Sequence, residues 1–258
     1  MENSENKSLI STGSSNLAKT EKLLSITQKI LSEIKPKYES VRIGNQEWMT
    51  RNLDVDRFRN GDLIPLVELY EEWEKAGENG EPASCYYDNN PDNGKKYGKL
   101  YNWHAVNDPR GLAPGGWHVP TVEEWAILEK FLGENFAGTE MKSHDGWEAF
   151  ENEYGEIQDG NGCNSSKFNA LPSGYCSNGG RFFKVNVHAF FWSSTKLFNT
   201  SAHYRQLRYN SDYLNSSNES KSFGASVRCL KDSSDSNWVQ AVKNGTIKPY
   251  IPPGLKLK

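Results

Sequence analysis

The second half of the chain is a series of short apolar runs separated by Gly and Asn, and this pattern constrains the fold more than any other feature. After residue 150 no stretch keeps the helical period. Short runs rich in aromatic and β-branched residues that end at turn residues are typical of strands. The runs are FNALPSGY (168–175), RFFKVN (181–186), AFFWSST (189–195) and ASVRCL (225–230). We therefore expect a sheet-rich second half.

Helical patterns lie in the first half. In GGWHVPTVEEWAILEKFLG (115–133), Thr121 and Glu124 form a capping box at the start of a helix that ends at Gly133. Its apolar face comprises Trp125, Leu128, Phe131 and Leu132. The segment 68–78 predicts an acidic helix that ends near Gly77 and Gly80.

Two further segments have a defined pattern. VRIGNQEWMTRNL (41–53) predicts two strands joined by a turn at Gly44 and Asn45. KLYNWHAVN (99–107) predicts a buried aromatic segment. Eight tryptophans offset a hydrophobic content of only 36%, because large rings bury much area each.

The chain divides into four parts. Residues 1–16 are polar, and we expect them to be disordered. Residues 17–36 form an amphipathic helix that ends at Pro36 and either packs on its own domain or joins copies into an oligomer. Residues 41–232 form the folded domain, and 233–258 an extended arm.

Composition excludes several classes of function. The net charge is −3, so there is no basic surplus to neutralise phosphates, and a nucleic-acid role is disfavoured. No stretch approaches the roughly 20 apolar residues that span a bilayer, which argues against membrane insertion. The first residues lack the pattern of a signal peptide.

The four cysteines are Cys85, Cys163, Cys176 and Cys229, and no two of them form a CxxC pair. Their even number allows two disulfides in any of three pairings. Buried free thiols are the alternative.

Residues 199–220 contain four Asn, five Ser and three Tyr but no Gly or Pro. The tyrosines, with Ala202, Leu207 and Leu214, favour an ordered surface over disorder. Antibody loops use the same residue types for recognition. We predict ligand contacts by Asn199, Ser201, His203, Tyr204, Arg205, Arg208, Tyr209, Asn210, Asp212, Tyr213, Asn215, Ser216 and Asn218.

Arg205 and Arg208 alternate with tyrosines as in interface hot spots. Alternatively, they are solvated strand charges or ion-pair partners of the acidic helix at 68–78. Arg228 lies within a run that defines the fold, and we expect a structural role for it.

Catalytic motifs such as HExxH and GxSxG do not occur. The histidines are scattered, and we expect them to be packed or hydrogen-bonded structural residues: His104, His118, His144, His188 and His203. The sequence therefore predicts no catalytic residue, no metal site and no enzymatic activity.

Calcium is the one cofactor that the sequence leaves open, as a structural ion. Asp88, Asn90 and Asp92 have the alternating spacing of calcium loops, but the glycine comes one place late and Lys99 stands where a bidentate Glu belongs. A second candidate comprises Asp159, Asn161 and Asn164. The preferred interpretation of both is a turn.

Six motifs occur in an order that resembles the Fibrobacter succinogenes major paralogous domain family. They are VRIGNQEWMTRNL, YGKLYNWHAV, GGWHVPTVEEW, FNALPSGY, FFWSST and SFGASVRCLKD. That domain is similar in fold to C-type lectins and to formylglycine-generating sulfatase-modifying enzymes. The resemblance covers 41–232 and implies an α+β fold with a few helices bracing small twisted antiparallel sheets, much loop, and a ligand face on the last strands.

Some lectin-like relatives are targets of diversity-generating retroelements, which mutate adenines. Mutated Asn codons yield Tyr, Asp, His, Ser or Thr. Between residues 199 and 218 this set accounts for fourteen residues: Asn199, Thr200, Ser201, His203, Tyr204, Tyr209, Asn210, Ser211, Asp212, Tyr213, Asn215, Ser216, Ser217 and Asn218. Diversification of this segment is a hypothesis, and an ordinary pair of polar loops is its alternative.

The function that this resemblance and the composition favour is non-catalytic binding of a protein or glycan receptor on another cell or particle. A phage tail or other virion, or the cell surface by another route or after removal of a signal, would be the location. The alternatives are a bacterial surface or adhesin module without a diversified site, or a sulfatase-modifying type of oxidase. The last is disfavoured because those relatives use a cysteine pair with copper, whereas Cys229 stands alone in its region.

Overall fold

The computed structural model describes residues 38–232. The polar stretch 1–16, the helix predicted for 17–36 and the arm predicted for 233–258 lie outside the described residues. Within them, short helices and strands combine in an α+β fold, as expected.

The helices lie mainly in the first half. They are α1 (Tyr70–Asn79), α2 (Pro91–Tyr97), α3 (Trp103–Val106), α4 (Val122–Leu132) and α5 (Ala137–Met141), with a 3-10 turn at Tyr87–Asn89. The strands of the first half are β1 (Ser40–Ile43), β2 (Gln46–Met49), β3 (Ser84–Cys85), β4 (Leu100–Tyr101) and β5 (Trp117–His118). Those of the second half are β6 (Phe150–Glu151), β7 (Ile157–Gln158), β8 (Ser173–Cys176), β9 (Phe182–Val185), β10 (His188–Lys196), β11 (Ser201–Arg208), β12 (Asn215–Ser220), β13 (Ala225–Ser226) and β14 (Leu230–Lys231).

Two main sheets build the domain. The smaller has the order β1-β2-β14-β5 and is antiparallel throughout. The larger has the order β12-β11-β10-β13-β4-β3, and β8 pairs with both β10 and β9. Because β10 pairs in parallel with β13 and with β8, the expectation of antiparallel sheets is wrong for the larger sheet, which is mixed.

Local sequence signals place the first hairpin and α4 as predicted. Ile43 pairs with Gln46 across a turn in which Gly44 has a φ of 61°. The Thr121 hydroxyl accepts a hydrogen bond from the Glu124 N–H at 3.2 Å, and the Glu124 carboxylate accepts one from the Thr121 N–H at 2.9 Å. The acidic helix α1 ends at Gly80, also as predicted.

One residue of the predicted α4 face lies outside the core. Trp125 and Leu128 are fully buried, but Phe131 is 63% exposed. Its ring packs over the turn between β1 and β2, where a Cβ added at Gly44 would lie 2.8 Å from the ring. The missing side chain at Gly44 makes room for the ring on the surface.

The main core is an aromatic cluster between α4 and the larger sheet. The ring centroids of Trp48 and Trp125 are 4.7 Å apart, and those of Trp125 and Phe191 5.8 Å. Phe168 meets Phe191 edge to face at 5.8 Å. Large rings thus supply the burial that a chain poor in aliphatic residues needs.

Arg228 lies within this core, 1% exposed, and has the structural role that we expected. Its guanidinium donates to the carbonyls of Met49 and Phe168 and to the side-chain oxygen of Asn52. It also stacks on the Phe168 ring at 4.3 Å. Burial lowers its pKa to about 9, so the side chain stays charged at neutral pH.

The structure contains no disulfide between the four cysteines, all of which lie within the described residues. All four are free thiols, with Cys85, Cys176 and Cys229 buried and Cys163 exposed.

Between residues 38 and 232, none of the helices has the length and apolar character that a bilayer crossing requires.

His118 joins β5 to the start of α4 and to the residue after β14. Its Nε2 lies 2.9 Å from Glu124 Oε1, and its Nδ1 lies 2.7 Å from Asp232 Oδ1. Burial disfavours the charged imidazole, but the two carboxylates outweigh burial and raise the pKa of His118 to about 9. At neutral pH a charged histidine therefore joins three elements.

Replacing Arg228 with Met should strongly destabilise the protein. The carbonyls of Met49 and Phe168 and the Asn52 oxygen would lose a buried donor, which should lower the free energy of unfolding by about 3 kcal/mol or more. Urea unfolding of the full chain measures this loss. The exposed Arg181→Met serves as a matched control within about 0.5 kcal/mol of the wild type, and an equally mild effect of Arg228→Met would contradict the role.

His118 should make stability fall as the pH rises. Because its folded-state pKa of about 9 exceeds the unfolded value, its contribution is complete below about pH 6.5 and disappears by pH 9. We expect the wild type to lose about 1–3 kcal/mol more than His118→Gln over this window. Urea unfolding at several pH values gives both curves; parallel curves would show that the histidine is not charged in the fold.

Candidate functional site

Strand β11 has two faces with different surroundings, because side chains alternate along a strand. Leu207 points into the aromatic core. Tyr204, Gln206 and Arg208 line a cavity of about 360 Å³ on the opposite face. Strand β10 alternates in the same way, with Phe191 in the core and Phe190 in the cavity wall.

The cavity combines aromatic and polar side chains from β8–β12 and nearby loops. Its lining is Tyr175, Ser177, Asn178, Lys184, His188, Phe190, Tyr204, Gln206, Arg208, Glu219 and Phe223. We call this the sheet cavity.

Four rings form the aromatic part of the sheet cavity. Phe223 stacks on Tyr175 at 4.8 Å between centroids and lies nearly parallel to Tyr204 at 6.2 Å. Phe190 meets Tyr175 and Tyr204 edge to face at 5.1 Å and 5.3 Å. These mutual contacts fix the rings before any ligand arrives.

A polar chain fixes the protonation of His188. Arg208 Nε donates to Gln206 Oε1 at 2.9 Å, so the amide nitrogen of Gln206 faces His188 Nδ1 at 3.2 Å. Since an amide nitrogen donates, Nδ1 must accept, and the proton of a neutral imidazole lies on Nε2. Burial, with the charges of Arg208 and Lys184, lowers the pKa of His188 to about 4. His188 is therefore a neutral donor at pH 7.

Tyr175 also keeps its proton. Burial, followed by the negative charge of Glu219, raises the pKa of its hydroxyl. The sheet cavity thus offers hydroxyl, imidazole and cationic donors around a carboxylate.

The structure divides the predicted ligand contacts by exposure. Exposed are Asn199, Arg208, Asn210, Asp212, Tyr213, Ser216 and Asn218. Half-buried are Ser201, His203, Tyr204, Tyr209 and Asn215. Of all thirteen, Tyr204 and Arg208 line the sheet cavity, and the others lie elsewhere on the β11–β12 hairpin and its flanking turns.

Arg205 has a different role from the one predicted. It is 6% exposed, and its Nη1 lies 2.7 Å from Glu129 of α4. It shares the core-facing side of β11 with Leu207, so it cannot contact a ligand in the sheet cavity. The suggested ion pair with the acidic helix is also wrong, since the partner belongs to α4.

The turn between β11 and β12 is anchored to the rest of the domain. Tyr209 meets Phe150 edge to face at 5.6 Å. The Asp212 carbonyl accepts a hydrogen bond from Gly138 N at 2.7 Å. Buried Lys142 donates to the carbonyls of Arg208 and Tyr209 at 3.3 Å and 3.4 Å. Tyr209 and Asp212 are therefore partly structural, whereas Tyr213 is 53% exposed.

The sequence did not predict several residues of the sheet cavity. Tyr175, Lys184, His188 and Phe223 lie outside 199–220, in runs that looked like scaffold. Period-two alternation in β10 could have separated His188 and Phe190 from the core positions. Phe223 and Tyr175 carry no such local signal.

The first calcium candidate is a helix cap, and the second is a turn held by a side-chain-to-backbone hydrogen bond. Asn90 caps α2 by accepting from the Asp92 N–H at 3.0 Å, and Asp92 pairs with Lys95 at 2.7 Å. Asp159 accepts from the Asn161 N–H at 3.0 Å. Across residues 38–232, no three His, Cys, Asp or Glu side chains are grouped as metal ligands.

A second cavity, of about 440 Å³, is lined by Leu63, Pro65, Val67, Glu72, Lys75, Ala76, Glu81, Pro82 and Arg110. The guanidinium of Arg110 in this cavity already forms ion pairs with Asp108 at 2.8 Å and with Asp62 at 3.4 Å. The sheet cavity, in which Lys184 Nζ and the Arg208 Nη atoms have no acceptor among residues 38–232, is the better candidate site.

Comparison with known proteins agrees with the motif order. Neither curated proteins nor solved structures gave a match. The family model of the Fibrobacter succinogenes major domain matches residues 41–231, which include both sheets and every residue of the sheet cavity. The chain therefore belongs to the Fibrobacter succinogenes major domain family.

Proposed function

We propose that this protein is a non-catalytic ligand-binding module with a C-type lectin-like fold. Its recognition surface combines the sheet cavity with the exposed side chains of the β11–β12 hairpin. The observation that carries the proposal is the sheet cavity itself, in which packed aromatic rings and oriented donors converge. Concave sites with apolar walls and a few placed polar groups are typical of ligand binding.

The preorganisation of the sheet cavity favours binding. Tyr204 and Tyr175 are held by Phe223 and Phe190, and Gln206 and His188 by Arg208. Groups that are already ordered lose little conformational entropy when a ligand binds. The partner that we propose is a protein or glycan receptor on another cell or particle.

Exposure within 199–220 supports retroelement diversification. None of the fourteen side chains reachable by adenine mutation is buried. The buried residues of the same segment all lie outside that set: Ala202, Arg205, Gln206, Leu207 and Leu214. Variation at the fourteen positions would therefore spare the buried residues of the hairpin. A phage tail or a cell surface is the location that such a receptor-binding role implies.

The oxidase alternative is weaker chemically. Copper binds the thiolate form of cysteine. In the metal-free protein burial raises the pKa of the Cys229 thiol to about 12, and the residue is fully buried, so neither an ion nor a substrate can reach it without rearrangement. A surface or adhesin module without diversification remains the alternative, and variation at the locus distinguishes it.

Tyr204→Ala should abolish ligand binding, because it removes one wall of the sheet cavity. Immobilised glycan arrays and bacterial cells, probed with the labelled full chain, measure binding. Tyr209→Ala is the matched control, since it removes a half-buried tyrosine outside the cavity. We expect each variant to lose about 1–2 kcal/mol of stability and only Tyr204→Ala to lose binding; equal retention by both would contradict the assignment.

Sibling genomes should differ at this locus in a defined way. Substitutions should concentrate at the fourteen exposed or half-buried positions and spare the five buried ones, because buried changes would disrupt the core. Sequencing the locus across isolates, together with a search for a nearby reverse transcriptase and template repeat, tests this. Equal substitution rates at buried and exposed positions would leave the surface-module alternative.

A further inference from the structure

We propose that the sheet cavity binds a saccharide that carries a carboxylate group. This inference rests on the proposed function and names the chemical class of the ligand. Two features define that class: uncompensated positive charge and a fixed aromatic surface.

The positive charge comes from Lys184 and Arg208. Both line the sheet cavity, against one carboxylate, Glu219. Arg208 uses its Nε to bind Gln206, and from residue 38 to residue 232 no acceptor binds its two Nη atoms or Lys184 Nζ. A carboxylate fits such a guanidinium fork with two parallel hydrogen bonds.

His188 adds a neutral donor beside these cations. Its Nδ1 faces the Gln206 amide, so Nε2–H is the proton left for a ligand oxygen. The positive charges of Arg208 and Lys184 both lower the pKa of His188, so the three side chains lie close enough to interact electrostatically. A cationic ligand would be repelled here, and a carboxylate attracted.

The backbone at and beside Lys184 has an unusual conformation. Lys184 has a φ of 65°, in the left-handed region that few non-glycine residues adopt. Gly174 packs against the same segment, and a Cβ added there would lie 2.5 Å from the Phe183 carbonyl oxygen. Strained backbone of this kind occurs at functional sites.

The aromatic part of the cavity suits a sugar ring. The half-buried Tyr175 and Tyr204 offer aromatic surface, and the apolar C–H face of a pyranose packs on such rings. Glu219 and Asn178 can bind hydroxyl groups, which donate as well as accept. At about 360 Å³ the cavity lies near the small end of ligand sites, so it fits one or two sugar units better than a folded protein surface.

Titration calorimetry of the full chain with matched sugar pairs tests the proposal. One pair is sialyllactose and its methyl ester; the other is trigalacturonate and its methyl ester. The acidic member of at least one pair should bind at least about tenfold more tightly than the neutral one, since it gains charge-assisted hydrogen bonds. The two pairs distinguish a nonulosonic acid from a uronic acid.

Arg208→Gln and Lys184→Gln should each reduce affinity for the acidic sugar by about tenfold, and by more than they reduce affinity for its neutral partner. Arg181→Gln is the control, because it removes an exposed arginine outside the cavity. Melting temperatures of all variants confirm folding.

Binding of a neutral glycan with no preference for the acidic partner would overturn this inference while leaving the proposed function in place. Binding of polyglutamate with equal affinity would also overturn it, in favour of an acidic peptide. If neither acidic sugar binds, this inference fails; if cell binding also survives Tyr204→Ala, the proposed function fails with it.

Discussion

The buried guanidinium of Arg228 is the interaction on which the rest of the structure depends. It binds backbone or side-chain oxygens from two distant segments: Met49 and Asn52 at and just after the end of β2, and the loop at Phe168. A buried cation requires these partners, because charge without hydrogen bonds is costly in a core. Arg228 lies between β13 of the larger sheet and β14 of the smaller sheet, and three of the six sequence motifs meet at it.

Strand β11 contributes one face to the core and the other to the sheet cavity. Leu207 and Arg205 face α4 and the aromatic cluster, whereas Tyr204, Gln206 and Arg208 face the sheet cavity. A one-residue shift in the pairing of β10 with β11 would exchange the two sets. The same register that buries the core residues therefore also assembles the cavity.

Local signals predicted the local structure. The capping box at Thr121 and the turn at Gly44 depend on residues only a few positions apart, so they can be predicted directly from the sequence. The mixed sheet and the sheet cavity depend on pairing between distant strands. The stacking of Tyr175 on Phe223 depends on this long-range pairing, and the sequence around either residue does not predict it. Arg205 was misassigned for the same reason, since composition does not show which face of a strand is buried.

The sheet cavity divides into a part that adenine mutation could change and a part that it could not. Tyr204 belongs to the first. Lys184, His188 and Phe223 lie outside the segment, and Gln206 and Arg208 lie within it but outside the mutable set. The polar chain from Arg208 through Gln206 to His188 would thus persist in every variant. Diversification would alter the aromatic wall and the outer hairpin, and with them the shape of the ligand accepted, while the positive charge that selects a carboxylate stayed constant.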